Sequence, residues 1–428
     1  MTDDADRPLL ARRQRALGPA YRLFYRQPLH VVRGEGMHLF DADGEEYLDA
    51  YNNVPCVGHS HPRVIEAVDA QMRRVNTNTR YLQDGVVDYA ERLLATLPAA
   101  IGRLMLTCSG SEANDLALRV ATSVTGHQGI IVTANAYHGV TQAVAAISPS
   151  LGEGVGLGAH VRTIPTPDLW RSGLATEAFT EAMVHHVRDA AADLIRHGHG
   201  VAALVVDAVF SSDGVHSDPT GWLTPAAEVV RSLGGLYVAD EVQAGFGRLG
   251  EGMWGFDRHG VVPDIVTMGK PMGNGFPIAA AAFRPELLED FGRRSRYFNT
   301  FGGNSVSVAA AGAVLDVIED DGLITHAAEV GAGLRAGLDE IANACGQVGG
   351  VRGTGLFYGL DLVTDPGSTT PDPGLASAVV DGLRERHVLI GSSGPAGNVL
   401  KIRPPLVCTA GDATRLLDEL AAVLGRAR

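Results

Sequence analysis

The sequence predicts an α/β fold with a mostly parallel central sheet flanked by helices, and three observations predict it. Residues 236–239 (Leu-Tyr-Val-Ala) form an apolar run of the length and composition of a buried strand, with the acidic pair Asp240-Glu241 where that strand should end. Residues 261–268 form a second, mostly apolar run that delivers Lys270 into a glycine-rich loop. At 428 residues the chain is long for one core, so two domains or one large domain with lobes are expected. Open α/β sheets bind ligands outside the carboxyl ends of their strands. A carboxylate and an amine therefore meet at one crevice.

Composition narrows the class. Hydrophobic content of 45% and charged content of 20% are those of a soluble globular protein, and 53 glycines suit many tight loops. A net charge of −14 argues against nucleic acid and anionic membrane as partners. No run approaches the ~20 apolar residues of a membrane span. The acidic start MTDDADRPLL lacks the apolar core of a signal peptide, which points to the cytoplasm. Cys56, Cys108, Cys345 and Cys408 have neither zinc nor redox spacing and read as buried small hydrophobes in a reducing compartment.

In chain order, residues 1–8 read as disordered and 9–17 as a short amphipathic helix. Val31-Val32, residues 37–40 and Tyr47-Leu48 read as strands, the last two joined by a turn at 41–44. His59 and His61 lack a third nearby ligand, so a structural role outweighs a metal site. Pro62 opens a helix running to Arg74. The polar loop 76–81 precedes a helix over 86–97; its Arg80 could meet a substrate anion, though a plain surface role fits as well. A strand at 104–107 leads through Ser109-Gly110-Ser111-Glu112-Ala113-Asn114 into a helix over 115–124. The Ser109…Glu112 spacing is a capping box, and a helix N-terminus also suits a phosphate. A strand at 130–132 precedes Tyr137-His138-Gly139. A helix over 175–197 is followed by a strand at 202–206 ending in Asp207. Asn299-Thr300-Phe301 opens the approach to an alanine-rich helix. Beyond it come strands around Val351 and over 356–363, a helix over 374–386, a strand and a last helix over 413–424.

Asp240 and Lys270 together suit pyridoxal phosphate, which needs a lysine for its Schiff base and, in one large group of enzymes, a carboxylate against its pyridine nitrogen. D-E-V-Q-A-G-F-G-R followed by M-G-K-P-M-G-N-G resembles the class III (subgroup II) aminotransferases of fold type I, and the resemblance runs from about Tyr21 to Leu424. It implies a large domain over 61–310 that holds pyridoxal 5'-phosphate. A smaller α+β domain would be built from residues 1–60 and 311–428. It implies that Gly110 and Ser111 cup the cofactor phosphate, Tyr137 and Val242 cover its two faces, and Gln243 bonds its phenolic oxygen. Thr300 would reach the cofactor phosphate of a neighbouring subunit, so a homodimer is expected, which could assemble further into a tetramer. Arg403 would contact a substrate carboxylate. Metal ions have no part in this expectation.

One departure stands out. Many relatives carry Glu-Pro and a glutamate that gates the substrate arginine; here residues 207–214 read DAVFSSDG. The first reaction expected is transamination between a primary amine or amino acid and a keto acid. The second is elimination of phosphate and ammonia, because G-K-P-M-G-N-G, N-T-N-T-R-Y-L and N-V-L-K-I-R-P-P-L resemble the ethanolamine-phosphate phospho-lyases. Arg80, Lys401 and Arg403 are candidates for the second anion pocket a lyase needs. A non-catalytic cofactor-binding regulatory module fits poorly, since the chain is acidic and keeps Lys270.

Overall fold

The computed structural model describes residues 7–426. Among them a seven-stranded sheet forms the centre, in the order Arg103–Thr107, Ala279–Phe283, Ile265–Met268, Leu236–Asp240, Ala203–Asp207, Ile130–Thr133, Val161–Ile164. All neighbours are parallel except Ala279–Phe283, which runs against both of its partners. The inner strands are buried along almost their full length, which explains their continuous apolar runs: helices cover both faces. Register aligns Asp207 with Asp240 and Asp240 with Thr267, so three strand ends stop at one level.

Two smaller sheets draw on strands from the two ends of the chain. Val31–Glu35, His38–Asp41 and Glu46–Asp49 form an antiparallel meander, and Val388–Leu389 from the C-terminal side joins it parallel to Glu46–Asp49. A second small sheet orders Val348–Thr354, Phe357–Leu362, Val399–Ile402 and Gly391–Ser393. Its strand Val399–Ile402 carries Lys401 and leads directly to Arg403.

Several expected elements move. The helix Arg7–Leu17 opens two residues early, and the expected disorder before it lies at 1–6, outside the described residues. The helix expected from 115 is Gly110–Thr125, because Ser109 caps it directly. The run 261–268 is a strand only over Ile265–Met268; Pro263 has no N–H for a ladder, and the Asp264 carboxylate instead accepts from the Tyr237 N–H (2.8 Å). The strand Ala279–Phe283 and the helix Leu223–Ser232 have no counterpart in the sequence reading. His59 bonds Asp49 (2.8 Å) between the meander and the following loop, a structural use. No described helix is long and apolar enough to cross a membrane. The four cysteines are free; Cys56, Cys345 and Cys408 are buried, and Cys108 is only partly so.

Candidate active site

A cavity of about 200 Å³ opens at the carboxyl ends of the sheet, lined on one side by Ser109, Gly110, Ser111 and Tyr137 and on the other by Asp240, Val242, Gln243 and Lys270. The structure thus brings together eight residues that come from four segments of the chain. Sheet geometry does this: every one follows a parallel strand or begins the helix that returns from one.

Asp240 is almost fully buried, and its oxygens are held by three donors. Asn114 Nδ2 (2.9 Å) and His138 Nδ1 (2.7 Å) meet Oδ2, and the Val242 N–H (3.1 Å) meets Oδ1. Asn114 is fixed in turn, donating to the His138 carbonyl (2.8 Å) and accepting from Thr267 Oγ1 (2.6 Å). A carboxylate so clamped is a charged acceptor of fixed direction, which suits a protonated ring nitrogen. Neither Asn114 nor His138 was singled out in the sequence. His138 lies beside Tyr137 in a loop read for its aromatic, and Asn114 lies on a helix read for its cap.

The phosphate end is built by close backbone approach. Ser109 Oγ accepts from the Glu112 N–H (3.3 Å) while Glu112 Oε2 accepts from Ser109 (3.1 Å) and Cys108 (2.7 Å) N–H groups. This capping box leaves the first-turn N–H groups of Gly110 and Ser111 for an anion. A Cβ on Gly110 would stand 3.0 Å from Val242, and one on Gly139 would stand 2.4 Å from Ser111 Oγ. Only glycine leaves this cradle open, so its shape and donor set fit a phosphorylated ring.

Cationic side chains adjoin Gln243 and Lys270. Lys270 Nζ lies 6.0 Å from the Tyr137 ring centroid. Enclosure holds its amine below the ordinary lysine range; Asp240 opposes the shift and Arg403 reinforces it. Arg403 is 5% exposed, stacks over Tyr51 (5.4 Å) and Phe357 (5.6 Å), and donates through Nη1 to Gln243 Oε1 (2.5 Å). Gln243 Nε2 donates to Ser211 Oγ (2.5 Å) and keeps one proton for another acceptor. Ser211 donates its hydroxyl and its N–H to Asp207. Lys401, also buried, reaches the Ser211 carbonyl at 3.4 Å. Arg403 therefore meets a neutral amide.

Thr300 and Arg80 stand apart from the cavity. Both are exposed, and Arg80 stacks over Phe298 (3.8 Å) in the loop that leads to Thr300.

Comparison with known proteins shows the family. The family model for class-III aminotransferases matches residues 24–424. The chain is 39% identical to an alanine–glyoxylate aminotransferase 2-like protein of Drosophila melanogaster, over 95% of this chain and 84% of that protein. It is 37% identical to an ethanolamine-phosphate phospho-lyase homolog of Caenorhabditis elegans, over 97% and 93%. Among solved structures, a phospholyase from Arthrobacter in complex with phosphoethanolamine superposes with a TM-score of 0.94 at 47% identity, covering 97% of this chain and 99% of that one.

Proposed function

The chain belongs to the class-III aminotransferase family of fold-type-I pyridoxal-phosphate enzymes, and on that premise we propose that it eliminates phosphate and ammonia from an aminoalkyl phosphate of the phosphoethanolamine type. The observation that carries this reading is the surroundings of Arg403: its hydrogen-bond partner is the neutral Gln243, Lys401 lies nearby, and residues 207–214 hold no glutamate. A gate lets one pocket alternate between anionic and neutral substrates, as transamination of a plain amine against a keto acid requires. A fixed, buried cationic pair instead selects an anion in every turnover. The likeness to the Arthrobacter phospholyase supports the same choice.

Bound here, pyridoxal phosphate supplies an aldehyde for the substrate amine and a ring that withdraws electrons from the adjacent carbon. Gly110 and Ser111 would hold its phosphate, Tyr137 and Val242 its faces, Gln243 its ring oxygen and Asp240 its protonated nitrogen. Lys270 Nζ, freed by the substrate amine, takes the proton from the carbon beside that amine. Its lowered proton affinity leaves more of it as free base near neutrality. Arg403 holds the substrate phosphate. The loss of that phosphate, rather than a new proton at the cofactor, then completes the reaction.

The enzyme works as a homodimer in this reading. Thr300 is exposed beside Phe301, which is 71% exposed, and near Phe298, an apolar edge suited to a second subunit whose cofactor Thr300 would reach. Residues 1–60 and 311–428 act as the smaller domain around 61–310. Free cysteines suit the reducing cytoplasm. The test is direct: incubate the purified holoenzyme with phosphoethanolamine and, separately, with an amine plus pyruvate. Phosphate release without any keto acid supports elimination; keto-acid-dependent turnover with no phosphate release overturns it in favour of transamination.

A further inference from the structure

Lys401 occupies a position made for it. Its direct neighbours across the sheet are Gly359 on one side and Gly391 on the other. Cβ atoms built on those glycines would stand 2.9 Å from Val215 and 2.9 Å from the Tyr51 ring. This face of the small sheet therefore packs onto the 207–215 loop and Tyr51, the wall that holds Arg403, and Lys401 is the side chain that fills it. Arg403 follows directly on this strand, and both cations reach the Ser211–Gln243 pair, Lys401 through the Ser211 carbonyl and Arg403 through Gln243. The Lys401 ammonium is buried and has one long hydrogen bond, to a carbonyl, with no ion pair among the described residues. A buried cation so weakly matched is costly unless an anion completes it.

An arginine would bind that anion as well, and more rigidly; what a lysine adds is a proton it can give up. A phosphate monoester leaves badly as a trianion. We propose that Lys401 is the catalytic acid of the elimination, donating its proton to the ester oxygen as the carbon–oxygen bond breaks; this rests on the elimination reading above. The Cα–H bond breaks and its proton goes to Lys270 Nζ. The electron pair of that bond becomes the Cα=Cβ bond, and the Cβ–O pair leaves with the oxygen. The Lys401 N–H proton joins that oxygen, so the group departs as hydrogen phosphate, and neutral Lys401 is reprotonated from water. Burial, with Arg403 and Lys270 close by and Asp207 opposing them, keeps the Lys401 ammonium well below the ordinary lysine range, which makes it a better donor.

The leaving group supplies the test. Sulfate needs no proton to depart, so ethanolamine O-sulfate should bypass the acid while keeping a tetrahedral anion. Holoenzymes of the parent protein, Lys401→Met and Lys401→Arg are compared on phosphoethanolamine and ethanolamine O-sulfate. Melting temperature and the visible band of the bound cofactor serve as checks of fold and loading. For phosphoethanolamine, kcat should fall by about 10²- to 10⁴-fold in both variants. Lys401→Arg should retain the parent KM, and kcat for the sulfate ester should change only a few-fold in Lys401→Arg. Full kcat for phosphoethanolamine in Lys401→Arg, or equal losses on both esters, would overturn the assignment. A parent protein that releases no phosphate at all would instead refute the elimination reading.

Discussion

Replacing Arg403 with alanine probes the cation on which the functional reading depends. The guanidinium is 5% exposed, lies between Tyr51 and Phe357, donates to Gln243, and has no ion pair with a carboxylate among the described residues. Its removal leaves a substrate anion in a desolvated pocket without its main partner, a loss of about 2–5 kcal/mol by analogy with truncated charge pairs. At about 1.4 kcal/mol per tenfold, kcat/KM for phosphoethanolamine should fall roughly 30- to 4,000-fold. The assay is single-turnover absorbance of Arg403→Ala holoenzyme with phosphoethanolamine, alanine and propylamine, alongside its melting temperature to separate folding loss from binding loss. The two anionic substrates should suffer and the plain amine should not. Arg403→Lys should recover part of the loss, since a point charge remains without the planar fork. Small, equal effects on all three substrates would show that Arg403 only fills space.

Other outcomes follow from the same geometry. Lys270→Ala should keep the fold but lose the visible band of the lysine-bound cofactor and all turnover, which absorbance and phosphate assays check together. Asp240→Asn should keep the cofactor bound yet slow proton abstraction by roughly 10²-fold or more, because an amide cannot supply the charge that holds the ring proton; stopped-flow with phosphoethanolamine measures it. Burial raises the Glu241 carboxyl from 4.5 to about 8 in the folded protein. The folded state therefore holds the extra proton between those values, and Glu241 should make stability fall as pH rises through about 5 to 8. Comparing melting temperature against pH for Glu241→Gln should show that part of the slope removed. Thr300→Ala should weaken cofactor retention in both sites of a dimer, and a fully active monomer in sedimentation would contradict the shared site.

What could be read from the chain alone follows from how local each signal is. Lys270 and Asp240 announce themselves because each ends an apolar run, and strand ends in a parallel sheet converge whatever the rest of the fold does. The capping box at Ser109 and Glu112 is equally local, four residues with one geometry. The clamp on Asp240 is not. Asn114 lies 126 residues away and His138 lies 102 away, and nothing near either residue records the carboxylate it meets. Ala279–Phe283 escaped for a related reason: four alanines in a row favour a helix by propensity. Yet the strand is fully buried beneath the helix Gly110–Thr125, where small side chains permit the close approach. That approach matters to the site, since it brings Gly269, next to Lys270, against Gly110, with a Cβ there 3.3 Å from the Gly110 backbone. The cationic pair lies between these cases. The spacing of Lys401 and Arg403 is legible in the chain, but only the structure shows them meeting Ser211 and Gln243, the second of which lines the cavity. A motif thus reveals a chemical group wherever the backbone alone aims it. Where a partner distant in the chain does the aiming, the group is legible and its direction is not.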